Sequence, residues 1–238
     1  MSARIESALT KVTEKRHFPI YLNLEGKQCI VIGGGDTAFS KIESLLNTGA
    51  KIIVVAPETN SRIQSLARES KILWIRRDFE ATDANDAFLV VSTLEDQREN
   101  QEIFDLLNSW NKLVNVHDDA PRCNFIYPAV AKSGPVQVAV STEGKSPAMA
   151  QRIRNRIKKE ILTEGMGNLV DFIGSRRNLV QNSITSFQKR VRFWRDLLDS
   201  NFPEVLTTDK EQASQQFDSH LNKYRNQKST DEPSKTEF

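Results

Sequence analysis

Cys29-Ile30-Val31-Ile32-Gly33-Gly34-Gly35-Asp36-Thr37-Ala38 is a short apolar run that enters three glycines. A helical pattern leaves them, with Ala38, Ile42, Leu45 and Leu46 at helix spacing. Gly33, Gly35 and Ala38 match the G-x-G-x-x-G/A spacing of dinucleotide-binding turns, in the required order of strand, loop and helix. The first glycine permits the tight turn, the second lets backbone N–H groups approach a pyrophosphate, and the small third residue lets the helix pack on the strand. The helix start then offers unpaired N–H groups and a positive dipole end to phosphates. The alternative is a glycine-rich turn without a ligand.

Outward from this loop, strands and helices alternate. Lys51 to Ala56 is continuously apolar after its first residue, as buried parallel strands are. Gly49 before it suits the left-handed end of the preceding helix. Pro57 and Glu58 end that strand. A carboxylate at this place commonly binds the adenine ribose, so Glu58 is a candidate, set against a solvated loop acid. Ile63 to Glu69 reads as a helix, Ile72 to Ile75 and Ala87 to Ser92 as strands three and four. The helix opening over Thr93 to Asn100 carries Ile103, Phe104, Leu106, Leu107 and Trp110 on one face, and Leu113 to Val116 is strand five. The alternation predicts an α/β fold, a Rossmann-type doubly wound parallel sheet, with chemistry at the loops after strands one, four and five.

The alternation breaks after His117-Asp118-Asp119. Phe125 to Pro128 and Val136 to Val140 read as two strands around Ser133-Gly134-Pro135, too small a pair to stand without a partner chain. Ser146-Pro147 is a helix start, serine at N-cap and proline at N1, for a helix to about Leu162. Its face Ala150, Ile153, Ile157, Ile161 is apolar, and Arg152, Arg154, Arg156, Lys158 and Lys159 line the other. Gly165-Met166-Gly167 reads as an interruption, Leu169 to Ile173 and Leu179 to Leu198 as further helices. The expected organisation is a flexible 1–16, a nucleotide-binding domain over 17–127, a β region over 128–146, helices over 147–206 and a polar, disordered tail over 207–238.

The 238 residues carry a net charge of +2, so no global charge argument favours nucleic acid. Two distant cysteines, Cys29 and Cys123, argue against a disulfide framework and a structural zinc site. No apolar run approaches membrane-spanning length, and the first 16 residues lack a signal-peptide core. The expected location is the cytoplasm.

Together the motifs resemble the precorrin-2 dehydrogenase/sirohydrochlorin ferrochelatase family, the module that also forms the N-terminal half of siroheme synthases. The resemblance spans about residues 17–200. It rests on Phe18-Pro19, Gly33-Gly34-Gly35-Asp36 with Ala38 and Lys41, Gly49-Ala50, Ala56-Pro57, Thr93 with Asn100, Asn115-Val116-His117-Asp118, Phe125 with Pro128, and Val140 to Pro147. It implies NAD-dependent oxidation of precorrin-2 to sirohydrochlorin, with ferrous iron a further substrate in many members. It also implies a β dimerisation region, a C-terminal helical domain and a homodimer. Asp118 aligns with the family's essential aspartate, a general base for a proton lost with the hydride or taken from pyrrole nitrogens. The resemblance places nucleotide contacts at Gly33, Gly34, Gly35, Asp36, Thr37, Pro57, Glu58 and Thr93. With it, Asn115, Ser141, Thr142 and Ser146 become candidates for the tetrapyrrole, and Arg152 on the basic helix face a candidate for its peripheral carboxylates. Thr37, Ser40 and His117 depart from the usual pattern. Read from the residues alone, Asp118 or Asp119 could equally cap a turn, and the basic helix face could be solvated. The competing functions are a nucleotide-sensing regulatory module and a folded, inactive relic.

Overall fold

The computed structural model describes residues 17–226. They form two compact units, the chain passing from the first to the second between Tyr127 and Pro128. The expected flexible segment 1–16 lies outside the described residues, as does 227–238.

The first unit is a five-stranded parallel sheet in the order β3-β2-β1-β4-β5. Its strands are β1 (Gln28–Ile32), β2 (Lys51–Val55), β3 (Leu73–Ile75), β4 (Ala87–Ser92) and β5 (Leu113–Val116). Helices α1 (Asp36–Leu45) and α2 (Ser61–Arg68) follow β1 and β2, and α3 (Gln97–Ser109) follows β4. Alternate strand residues separate two cores. Cys29, Val31, Ile52, Val54, Leu89 and Val91 pack with Ala38, Ile42, Leu45 and Ile63 of α1 and α2. Ile30, Ile32, Val55, Val90 and Val114 pack with Ile103 and Leu107 of α3. The result is the doubly wound arrangement that the patterning predicts. The pairing register sets Ile32 beside Val55 and Ser92, and Ser92 beside Val116. The strands therefore end level, and their loops emerge along one edge. The order reverses between β1 and β4, which is where such sheets bind ligands.

The other side of β5 is not covered by a strand. The chain doubles back over it: Asn124 N–H donates to the Val114 carbonyl at 3.0 Å, and Val114 N–H donates to Asn124 Oδ1 at 2.8 Å. Asn115 and Cys123 form an isolated antiparallel bridge beside them. Phe125 and Tyr127 pack onto the first core. The expected strand over Phe125 to Pro128 is thus a covering segment, and the real strand begins one residue later.

In the second unit, β6 (Ala129–Ser133) and β7 (Val136–Val140) form an antiparallel hairpin. Four helices follow α4 (Pro147–Glu160): α5 (Glu164–Ser183), α6 (Phe187–Leu198), α7 (Phe202–Thr208) and α8 (Lys210–Asn226). Three expectations are corrected here. Gly165-Met166-Gly167 lies inside α5 and does not interrupt it; Gly167 is small because the hairpin turn rests on it, a Cβ there meeting Ser133 backbone at 3.2 Å. The expected helix over Leu179 to Leu198 is broken at Ile184, and Ser186 starts α6 afresh by accepting from Lys189 N–H. The expected disordered tail from 207 is folded as far as Asn226. Ala213, Phe217, Leu221 and Tyr224 recur at helical spacing and bury against Phe193, Leu197 and Phe202. Each large side chain so buried contributes about 1.5–3 kcal/mol, which holds an otherwise polar helix. On α4, by contrast, only Ala150 is buried, and Ile153 is exposed.

Candidate dinucleotide and active site

Gly33 turns the chain out of β1 with φ +108°, a conformation that favours glycine. Its N–H donates to the Val55 carbonyl at 3.0 Å, which ties the turn to the end of β2. A Cβ at Gly33 would fall on the Thr93 hydroxyl. That hydroxyl donates to the Ile32 carbonyl at 2.8 Å, so Thr93 closes the loop after β4 onto β1. A Cβ at Gly34 would fall on the Glu58 carbonyl oxygen and crowd Thr59. Asn60 N–H donates to the Gly34 carbonyl at 2.9 Å, completing the join. Gly35 faces open space and caps α1 without a side-chain bond to the first turn. The first-turn N–H groups are thus not consumed by a capping side chain, which is how helix starts receive phosphates.

Around this loop, Thr37 is half-buried, and Pro57 and Glu58 are exposed beyond β2. The Thr59 hydroxyl is buried and has no hydrogen-bond partner among the described residues. Asp36 Oδ1 accepts from Asn60 Nδ2 at 2.9 Å and from Arg62 Nη2 at 2.8 Å. These two donors, the Arg62 guanidinium foremost, hold the Asp36 carboxyl below the usual carboxylate range. Arg62 also lies over the Phe39 ring, 4.1 Å from its centroid. An open helix start, a glycine cradle sized to exclude a Cβ, and an orphaned hydroxyl together fit a dinucleotide. Thr59, Asn60 and Arg62 were not singled out by sequence. An N-cap signal at Asn60, which accepts from Ile63 N–H, is what could have drawn notice.

At the end of β5, Asp118 takes φ +58° and its exposed carboxylate has no partner among the described residues. Its neighbour behaves differently. Asp119 is almost buried and bonded to Arg122, which also donates to Gln101 Oε1 at 2.7 Å and Gln97 Oε1 at 2.9 Å. The ion pair that holds this turn is therefore made by Asp119 and not by Asp118. Asn115 lies within β5. It is buried, and its Nδ2 donates to Cys123 Sγ at 3.2 Å and to the Phe125 carbonyl at 3.0 Å. It braces the loop that carries Asp118. His117 is exposed beside it. Ser92, wholly buried, donates to Asn100 Oδ1 at 2.6 Å and fixes the neighbouring loop.

The remaining candidates belong to the second unit. Ser146 Oγ accepts from Met149 N–H at 3.2 Å and caps α4. Thr142 Oγ1 donates to the Ser146 carbonyl at 3.0 Å and accepts from Ser146 N–H at 3.1 Å. Ser141 Oγ accepts from Glu143 N–H at 3.1 Å. These hydroxyls hold a turn in which Glu143 and Gly144 both have positive φ. Arg152 is exposed on α4. Among the described residues no three or more His, Cys, Asp or Glu gather to hold a metal ion, and no helix is long and apolar enough to cross a membrane.

Three family models match in succession. Residues 20–129 match an NAD(P)-binding family, 133–160 the central region of sirohaem biosynthesis proteins, and 165–221 the sirohaem synthase dimerisation region. A siroheme synthase of Neisseria meningitidis serogroup C is 35% identical over 207 residues, 87% of this chain and 42% of that protein. That of Pseudoalteromonas translucida is 33% identical over 208 residues, 87% of this chain and 44% of that protein. The chain therefore spans less than half the length of these relatives. The solved structure of SirC, a precorrin-2 dehydrogenase, superposes with TM-score 0.73 at 25% identity, covering 85% of this chain and all of the other. The NAD(P)-binding, sirohaem central and sirohaem synthase dimerisation regions follow one another in this order, and over most of its length the chain is similar both to siroheme synthases and to the precorrin-2 dehydrogenase SirC.

Proposed function

We propose that the chain oxidises precorrin-2 to sirohydrochlorin, a step of siroheme formation, with NAD as cofactor. The observation that carries this is the pairing of an open glycine loop with an unpartnered carboxylate, Asp118, on the same edge of one sheet. Gly33 to Thr37, Pro57, Glu58 and Thr93 hold the dinucleotide, its pyrophosphate at the start of α1. When bound, NAD supplies the acceptor for the hydride. Asp118 takes the proton that leaves the macrocycle with it. Asp119 and Arg122 keep the loop in place, and Asn115 braces it from beneath. Arg152 and the basic face of α4 attract the peripheral carboxylates of the tetrapyrrole. The same base serves pyrrole N–H removal if ferrous ion is inserted into sirohydrochlorin, iron being then a substrate.

We also propose a homodimer acting in the cytoplasm. The dimerisation-region match and the exposed Met149, Ile153 and Ile161 at α4 and its end support the dimer, and the buried Cys29 and Cys123, which form no disulfide, support the compartment. Purified protein given precorrin-2 and NAD tests the reaction by NADH and sirohydrochlorin absorbance. Folded protein that binds NAD and never turns over would point instead to a nucleotide-sensing module. Sirohydrochlorin with ferrous ion is the separate arm for insertion, and sedimentation velocity the one for the dimer.

A further inference from the structure

Two groups of opposite charge stand at the ribose end of the dinucleotide site. Glu58, exposed just beyond β2, is placed for a ribose hydroxyl. Arg62, four residues on, is the type of group that accommodates a 2′-phosphate in this fold. Here it is not at liberty. Its Nη2 donates to Asp36 at 2.8 Å, and its guanidinium lies 4.1 Å from the Phe39 centroid. Asn60, fixed as the N-cap of α2, gives Asp36 a second donor and keeps that carboxylate in place. Asp36, Glu58 and Arg62 together carry one net negative charge, which opposes a 2′-phosphate. Another cation at this edge, Arg76, lies over Trp74, 4.2 Å from the ring centroid, and Trp74 is itself bonded to the Ala56 carbonyl.

We propose that Asp36, by holding Arg62 against Phe39, makes the site select a dinucleotide with a free 2′-hydroxyl over one carrying a 2′-phosphate. Asp36 is then a specificity residue whose action runs through Arg62. The inference rests on the dinucleotide reading above. It follows that freeing the arginine changes which cofactor binds without any new cation being introduced. The released fork supplies a charge-assisted bond to the phosphate, worth about tenfold or more in affinity.

The test is calorimetric titration of NAD and NADP into the full chain, with no tetrapyrrole present. The wild type is expected to prefer NAD. Asp36→Ala is expected to cut that preference about tenfold or more, Asp36→Ala with Arg62→Gln to restore it, and Asp36→Ala with Arg76→Gln to leave the cut in place. Arg62→Gln alone, at a surface position, is expected to keep the preference at or above the wild-type value. Equal binding of both dinucleotides by the wild type, an unchanged preference in Asp36→Ala, or a shift that survives Arg62→Gln overturns the proposal. So does a loss of NADP affinity in Arg62→Gln alone. Failure of the wild type to bind either dinucleotide refutes the dinucleotide reading itself, which is a distinct outcome.

Discussion

Replacing Asp118 separates its backbone role from its carboxylate. Its φ of +58° lies where an L residue is strained by roughly 1–2 kcal/mol, less for Asp and Asn, and where glycine is not. Asp118→Ala should therefore destabilise the fold by about 1 kcal/mol. Asp118→Asn should be near neutral. Asp118→Gly should be neutral to about 1 kcal/mol more stable, since the relieved strain competes with the entropy of a freer unfolded chain. In a chain of this size, 1 kcal/mol moves Tm by about 2–4 °C. All three lose the proposed base. A general base contributes about 10²- to 10⁴-fold, or roughly 3–5 kcal/mol in the transition state. The assays are thermal melts and the NADH-forming rate with precorrin-2, run on the same preparations. Asp118→Gly should melt no lower than the wild type and turn over at least a hundredfold more slowly. A variant that keeps full rate, or rates that track Tm across the series, refutes the assignment. Asp119→Ala should show the opposite signature. It strands Arg122 without its partner, costs about 3 kcal/mol of stability, and impairs rate through the loop.

Four further outcomes are expected. Gly34→Ala places a Cβ on the Glu58 carbonyl and should weaken NAD binding at least tenfold while lowering stability by about 1–3 kcal/mol, read by calorimetry and melts. Gly167→Ala should destabilise, because the 3.2 Å approach to the Ser133 backbone outweighs the helix propensity of about 1 kcal/mol that alanine brings. Ending the chain at Asp209 removes Phe217, Leu221 and Tyr224 from the helical core, a loss of roughly 5–8 kcal/mol, and should abolish cooperative melting of that unit. Burial pushes the Cys29 thiol up to about 11, so the unfolded chain loses that proton first; stability should fall as pH rises from 9 toward 11, and the slope should diminish in Cys29→Ala.

The sheet was legible because parallel strands buried on both faces read as unbroken apolar runs, as in Lys51 to Ala56 and Ala87 to Ser92. The glycine loop was legible because its spacing has one steric cause. The helical unit was less so. Gly165 and Gly167 look like breakers, and only the hairpin turn seated on Gly167 explains a glycine inside a helix. Phe217, Leu221 and Tyr224 were lost among glutamines and charges, since a helix buried along one narrow stripe is polar in composition. At the proposed active edge, sequence placed two adjacent aspartates and could not divide their roles. The division depends on Arg122, which reaches Asp119 and not Asp118. The structural bonds of Asn115 were hidden for a similar reason. A buried amide and a ligand amide are the same residue until its donors are followed to Cys123 and Phe125.

The segment that doubles back along β5 has a consequence beyond holding the loop. A bare strand at the border of a sheet invites another chain to add to it, and with it fibrils and swapped assemblies. Here Asn124 and Cys123 occupy that border from within the same polypeptide. Loosening them exposes the strand before it reaches the chemistry. Asn124→Ala protein should therefore be lost first to precipitation, with what stays soluble still competent to turn over.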